Sequence, residues 1–390
     1  MTKRQFRQTR AEISKSHLIA NLRALKGLQE PGEFLCPMVK CDAYGHGALR
    51  VSKWLIEEKV DALGVALVEE GLKLRQNGLS EGRILIFGIL PEAAAPSLLE
   101  NGLTPVVSTV EELQFLARSS RGKSNFSIHL KIDTGMHRLG FSWSHLARVR
   151  KILGENTSLK VEGICTHLAC AEDVGREGSM SARQIDLFRK AEGQLGLSGI
   201  TKHVLNSTAL VGRQFLSAQE RKSWTGLGAR PGISLYGCFD DFECLDEAGR
   251  EWVDLNLNPV MRLVAELVMI KGLEAGQSVS YGATWTARKP TTVGIAAFGY
   301  GDGYPRRLSN VGTVLYKGRL VPVIGRVCMD YTLLDLSEMD LDSSPQAGDE
   351  VIFFGDEEKR LSAVDLAQSA GTISYEVFTG ISERVPRLEV

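Results

Sequence analysis

The 390-residue chain has no apolar run approaching the ~18–20 residues that a membrane span requires, so no bilayer partner is expected. It has almost no charge imbalance. A net charge of -1 gives no electrostatic footprint for nucleic acid or an anionic membrane. It has no histidine after His203, which excludes a histidine-based metal site from the second half. Its seven cysteines are odd in number. The close pairs Cys36/Cys41, Cys165/Cys170 and Cys238/Cys244 lack zinc-site spacing with a matching second pair. They read as reduced thiols in a cytoplasmic protein, and no metal is expected. The N-terminal "MTKRQFRQTRAEISKSH" is basic, but no apolar run follows, so a secretory signal is not expected. No Gly-x-Gly-x-x-Gly follows an early strand, which counts against a dinucleotide-binding fold. Low-complexity segments and short repeats are absent.

What is present is an ordinary soluble composition, 43 % hydrophobic and 24 % charged. The length exceeds what one hydrophobic core usually serves, so two domains are expected. Short β-branched or apolar runs occur at 34–40, 62–67, 83–88, 104–109, 126–133, 161–169, 202–209 and 229–237. Segments with helical spacing lie between them, such as "EEGLKLRQNG" and "ARQIDLFRKAEGQL". Strands alternating with helices in this way predict an α/β fold with a (β/α)8 TIM barrel over 12–245, with a doubly wound open sheet as the alternative. The acidic, irregular "DDFECLDEAGREW" marks the boundary. Residues 246–390 then read as a mainly β C-terminal domain with one clear helix around "SAVDLAQSAG", and residues 1–11 are a candidate addition to it.

In a (β/α)8 barrel, chemistry collects at the C-terminal ends of the strands. The first strand ends at Lys40, and the fifth runs into "KIDTGMHRLGF" with Lys131, Asp133 and Arg138. The sixth ends at His167, the seventh at Asn206 and Ser207, and the eighth carries Arg230, Gly232 and Ile233. Each has a bland reading. Lys40 would serve as a capping or solvated lysine, Tyr44 and His46 as packing and helix-start residues. Arg138 would pair with Asp133, His167 would be a satisfied core histidine, and "NSTA" a helix N-cap. The sharper reading starts from the apolar approach to Lys40 and the Gly45/Gly47 turn after it. A lysine in an apolar site has its ammonium form disfavoured, and its free amine can form a Schiff base. At the other end of the rim, "NST" and "ARPGI" suit a phosphate, because helix N-termini and bare glycine backbone admit one. A Schiff-base lysine facing a phosphate site points to pyridoxal phosphate.

The strings "MVKCDAYGHG", "KIDTGMHRLGF", "THLA", "LNST", "RPGISLYG", "VSYGATW", "GYGDGYPR", "GRVCMD" and "YEVFTGISERVPR" resemble, in order, those of the alanine racemases, from about residue 10 to 387. The resemblance implies a pyridoxal 5'-phosphate enzyme that interconverts L- and D-alanine and supplies D-alanine for peptidoglycan. Lys40 would hold the coenzyme as a Schiff base and act as one acid/base. Tyr281 would be the other, reaching in from the partner of a homodimer. Tyr44, Ser207, Gly232, Ile233 and Tyr375 would bind the phosphate, with Asn206 nearby. Arg230 would donate to the pyridine nitrogen, supported by His167. Arg138 would hydrogen-bond Tyr281 and the coenzyme's phenolic oxygen. Met329 and Asp330 would line the substrate side, again from the partner, and Tyr300 would stand at the entrance. Lys131 is the candidate carbamylation site.

Several positions depart from the common pattern of that family. Cys41 stands where alanine is usual, His137 where glycine is usual, and Thr208 where a smaller residue is common. "HLACAED" and Tyr331 also differ. These leave open a broader-specificity racemase acting on serine or basic amino acids. A decarboxylase of the same architecture is disfavoured by Arg230 and "SYGATW". A non-catalytic pyridoxal-phosphate-binding protein is disfavoured by the second domain that carries Tyr281.

Overall fold

The computed structural model describes residues 7–121, 125–176, 178–239, 255–339, 344–356, 358 and 360–390. Seven short strands, from Leu63–Val65 to Gly228–Ala229, pair in sequence order, each parallel to the next. Parallel strands buried on both faces need continuous apolar runs. Ile84–Ile86 and Leu103–Val107 are such runs, buried at every position. Helices that start with polar caps return the chain between strands. In the helix Val110–Ser119, Thr109 accepts from the Glu112 amide while Glu112 reaches back to the Thr109 amide.

The first expected strand, 34–40, is not a continuous ladder. Pro37 has no N–H to give, and only the isolated bridges Leu35 to Ala229 and Met38 to Gly64 form. They are enough to close the barrel. Cys36 donates to the Ala229 carbonyl at 2.9 Å on one side, and Val39 to the Gly64 carbonyl at 2.8 Å on the other. The architecture is a closed (β/α)8 barrel followed by a mainly β domain.

The second sheet has eight strands built around the long Met261–Leu273. Antiparallel partners of that strand are Thr291–Ala296, Glu350–Phe354 and, from the start of the chain, Arg10–Ile13. Arg10–Ile13 in turn pairs in parallel with Arg387–Glu389. The expected boundary near 245 lies outside the described residues. Beyond the expected helix at Ala363–Ala370 there is a second, Ser374–Gly380, which carries Tyr375. Its seven residues, "SYEVFTG", are too short and too rich in aromatic and β-branched side chains to stand out as helical. Packing selects the helix, because Phe378 sets its ring edge-on to His46 and also to Phe354. This helix is where the second domain meets the barrel mouth. No helix among the described residues is long and apolar enough to cross a membrane.

Candidate active site

Lys40 opens a backbone turn of unusual hand. Cys41, Asp42, Ala43 and Tyr44 have φ of 51°, 54°, 54° and 53°, a left-handed helical turn built from residues that all carry a Cβ. Left-handed backbone costs such residues ~1–2 kcal/mol each, so the surrounding contacts must impose it. His46, fully buried, turns Nδ1 to the carbonyls of Ala43 and Tyr44 at 3.0 and 2.9 Å. Arg387 donates from Nε to the Gly45 carbonyl at 2.9 Å. Gly45 itself has φ of 79°, and a Cβ there would lie 2.3 Å from the Phe378 carbonyl oxygen, so only glycine fits. Of the two glycines of "YGHG", Gly45 thus serves a close approach between the domains, while Gly47, with φ of 94° and open space around it, serves the backbone at the start of the helix Ala48–Glu57.

The turn places Lys40 at the rim of a cavity of about 320 Å³ at the C-terminal mouth of the barrel. Ten of the sequence-predicted residues line it: Lys40, Tyr44, Lys131, Arg138, His167, Asn206, Ser207, Arg230, Gly232 and Tyr375. Ile233 is buried directly behind Gly232, at the start of the short turn Ile233–Tyr236, and does not line the cavity.

At one end, Asn206 caps the helix Ser207–Gly212 by accepting from the Ala209 amide at 2.9 Å. The Ser207 oxygen accepts from the Gly232 amide at 3.0 Å and the Ser234 hydroxyl at 2.8 Å, which leaves its own O–H to donate elsewhere. Gly232 lies tight against Tyr44: a Cβ there would sit 2.5 Å from the Tyr44 hydroxyl. Tyr44 and Tyr375 stand with ring centroids 5.8 Å apart, giving this end two phenols.

At the other end, Arg230 is 6 % exposed and held by acceptors alone. Its guanidinium donates to the Thr166 carbonyl at 2.7 Å, to the His203 carbonyl, and to the ring nitrogens of His203 and His167 at 3.0 and 3.4 Å. Phe87 lies beneath it, 5.7 Å from its Cζ. Among the described residues no carboxylate pairs with Arg230, and burial lowers its pKa from the usual arginine range. Burial first, then the charges of Arg230, Arg138, Lys131 and Lys40, pushes His167 down to about 3. His167 is therefore neutral and accepts from Arg230 through Nδ1. Lys131 is buried, and desolvation, with Arg230 and Arg138 nearby, lowers its pKa. Among the described residues no carboxylate pairs with Arg138. Asp133 instead accepts from the amides of Gly135 and His137 at 3.0 Å each.

The remaining predicted residues lie elsewhere on the chain. Tyr281, Tyr300 and Met329 are 70 %, 42 % and 52 % exposed, and none lines the cavity. They are brought to one another instead. Tyr300 and Gly301 donate to the carbonyls of Cys328 and Met329 at 2.9 and 2.8 Å, and the Ser280 hydroxyl donates to the Arg326 carbonyl at 2.5 Å. Asp330 pairs with Arg384 at 2.7 Å on the same rim. The second domain thus presents Tyr281, Tyr300, Met329 and Tyr331 outward on adjoining loops.

Two functional positions escaped the sequence reading. His203 holds Arg230 from below, and its other nitrogen meets His129 Nδ1 at 2.8 Å. The available signal was period two from Lys131, which lines the cavity, back to His129 on the same face of its strand. Phe87 gave no signal beyond an apolar run.

Comparison with known proteins places this geometry among relatives. A family model described as "Alanine racemase, N-terminal domain" matches residues 13–240, and one described as "Alanine racemase, C-terminal domain" matches 260–389. The protein "Alanine racemase 2" of Caldanaerobacter subterraneus subsp. tengcongensis is 34 % identical over 99 % of this chain and 96 % of its own length. The alanine racemase of Carboxydothermus hydrogenoformans is 36 % identical over 97 % and 99 %. A solved alanine racemase structure from Clostridium difficile 630 superposes with a TM-score of 0.86 at 33 % identity, covering 100 % of this chain and 97 % of that one.

Proposed function

We propose a two-base mechanism, from the premise that the chain belongs to the alanine racemase family and is an isomerase that interconverts L- and D-alanine. Racemisation removes an α-proton from one face of the amino acid and returns one to the other. A single side chain would have to cross between faces, whereas two placed oppositely need no travel. Lys40, on its turn at the cavity rim, is one. Tyr281 is the other, and its exposure outside the cavity of its own chain supports a homodimer in which Tyr281 of the partner subunit completes each site. The outward cluster of Tyr300, Met329 and Asp330 would arrive with it and bound the substrate.

The residues present fit pyridoxal 5'-phosphate as cofactor. Lys40 offers the amine that would hold it, and Tyr44, Tyr375, Ser207 and the bare backbone of Gly232 offer a phosphate cradle that a Cβ at 232 would fill. Arg230 offers a donor to the ring nitrogen. When bound, the cofactor supplies a conjugated ring that spreads the charge left on the α-carbon as its proton departs. A guanidinium keeps its protons, so Arg230 would hold that nitrogen by a hydrogen bond without protonating it, and the ring would draw electrons less strongly than a protonated one. This restraint would disfavour side reactions such as transamination. Arg138, at the mouth, would hydrogen-bond Tyr281 arriving from the partner subunit and orient it toward the substrate. Buried Lys131 has its amine form favoured, the form that carbamylation requires.

The convergence of Lys40, Arg230 and the Ser207/Tyr44/Tyr375 end in one cavity carries this reading. Cysteines that form no disulfide among the described residues support a cytoplasmic setting, where D-alanine would feed peptidoglycan synthesis. Purified protein with pyridoxal phosphate and L-alanine in heavy water tests it. Exchange of the α-proton together with D-alanine on a chiral column is expected. Exchange without D-alanine would overturn the two-base assignment. The same assay with serine and arginine sets the substrate range.

A further inference from the structure

The left-handed turn after Lys40 needs something to hold its first amide, and that is a carboxylate from the next barrel unit. Glu70 Oε1 accepts from the Cys41 amide at 2.5 Å. Its other oxygen accepts from the amides of Ala66 and Leu67 at 2.8 and 2.9 Å, at the start of its own helix, Val68–Gln76. One side chain therefore ties the end of the second barrel strand to the residue that follows Lys40. We infer that Glu70 is a positioning residue for Lys40, fixing the backbone from which the lysine reaches the cavity.

The fold contains its own control. Glu112 stands in the same place two units later, in a matching Val-Glu-Glu start. One Glu112 oxygen accepts from the amides of Ser108 and Thr109, and the other crosses to the previous loop, to the Leu90 amide at 2.7 Å. The two carboxylates do the same structural work, but only one of them holds the lysine turn. A third helix shows what a shorter acid does. In Ala363–Ala370, Asp365 occupies the equivalent position and caps its own helix, accepting from the Ser362 amide at 2.8 Å. Aspartate at 70 should therefore keep the local cap and release Cys41, one methylene out of reach.

This inference rests on Lys40 being the cofactor lysine, and the experiment separates the two claims. Wild type, Glu70→Asp, Glu70→Gln and Glu112→Asp are each incubated with pyridoxal phosphate, reduced with borohydride and mapped by mass spectrometry. Amide hydrogen exchange is followed in the cofactor-free proteins over residues 36–47. Failure to label Lys40 in wild type would sink the cofactor reading itself. With that label in place, Glu70→Asp is expected to speed exchange in the segment, slow capture at Lys40 and lower kcat about tenfold or more, with KM within about threefold. Glu112→Asp is expected to match wild type in all three, even where its melting temperature falls as far. Equal losses in both variants would reduce the effect to helix capping and overturn the inference. So would wild-type exchange and capture in Glu70→Asp. Should Glu70→Asp fold poorly, Glu70→Gln serves: its amide presents N–H groups to at least one of the two sites, and the same comparison decides.

Discussion

Single side chains in this protein divide into those that hold and those that react. Arg230 is the clearest holder. Its removal would leave the Thr166 carbonyl and His203 Nδ1 buried without a donor. Arg230→Met is expected to lower stability by about 2–4 kcal/mol, read as a shift in urea midpoint on cofactor-free protein. Tyr281 is the opposite case, since its exposed ring supports little of the fold. Tyr281→Phe is expected to leave the melting temperature unchanged. It should slow α-proton loss from L-alanine by about a hundredfold or more, measured by deuterium exchange, with Lys40 still labelled. A wild-type L-to-D rate in that variant would remove Tyr281 from the mechanism.

At the scale of elements, the barrel mouth is underlain by neutral histidines. Burial depresses His46, His129 and His167 to about 3 each, and His203 falls in the same direction. A group whose folded value lies below its unfolded ~6.5 stabilises the fold fully above that pH and less as pH falls toward the folded value. Each of the three should therefore cost roughly 2 kcal/mol of stability on going from pH 7.5 to pH 5. Chemical denaturation at the two pH values checks this, and an equal or higher midpoint at pH 5 would refute it. The elements themselves were unevenly legible. The barrel strands from Leu63–Val65 to Thr201–Leu205 announce themselves as apolar runs, and most site residues follow from reading their ends. The turn at Cys41–Tyr44 does not, because nothing in "CDAY" favours left-handed backbone; His46, Glu70 and Arg387 impose it, and the latter two lie far from it in sequence. Tyr375's helix was hidden for a similar reason, since tertiary contacts outweigh its weak propensity.

At the scale of the whole molecule, the cavity and Tyr281 sit apart on one chain, and the proposed dimer reunites them. A mixture of Lys40→Ala and Tyr281→Phe subunits tests this directly. In a two-fold dimer each mixed pair would hold one site with both residues intact. Random reassembly of equal amounts should thus restore about a quarter of wild-type activity, from two proteins inactive alone. No recovery, with mixed dimers demonstrated by mass, would place both bases within one chain.

The strand Arg10–Ile13 has a consequence in time. Its partners are Met261–Leu273 and Arg387–Glu389, so it is made early and paired late. At a synthesis rate of about 5–20 residues per second, roughly 10–50 s pass before its first partner leaves the ribosome. Throughout that interval it is an unpaired edge beside a barrel free to fold without it. Its alternation suits the wait: Ala11 and Ile13 face one side, while Arg10 and Glu12 keep the other charged. The nascent chain is thus held open at its beginning until its end arrives.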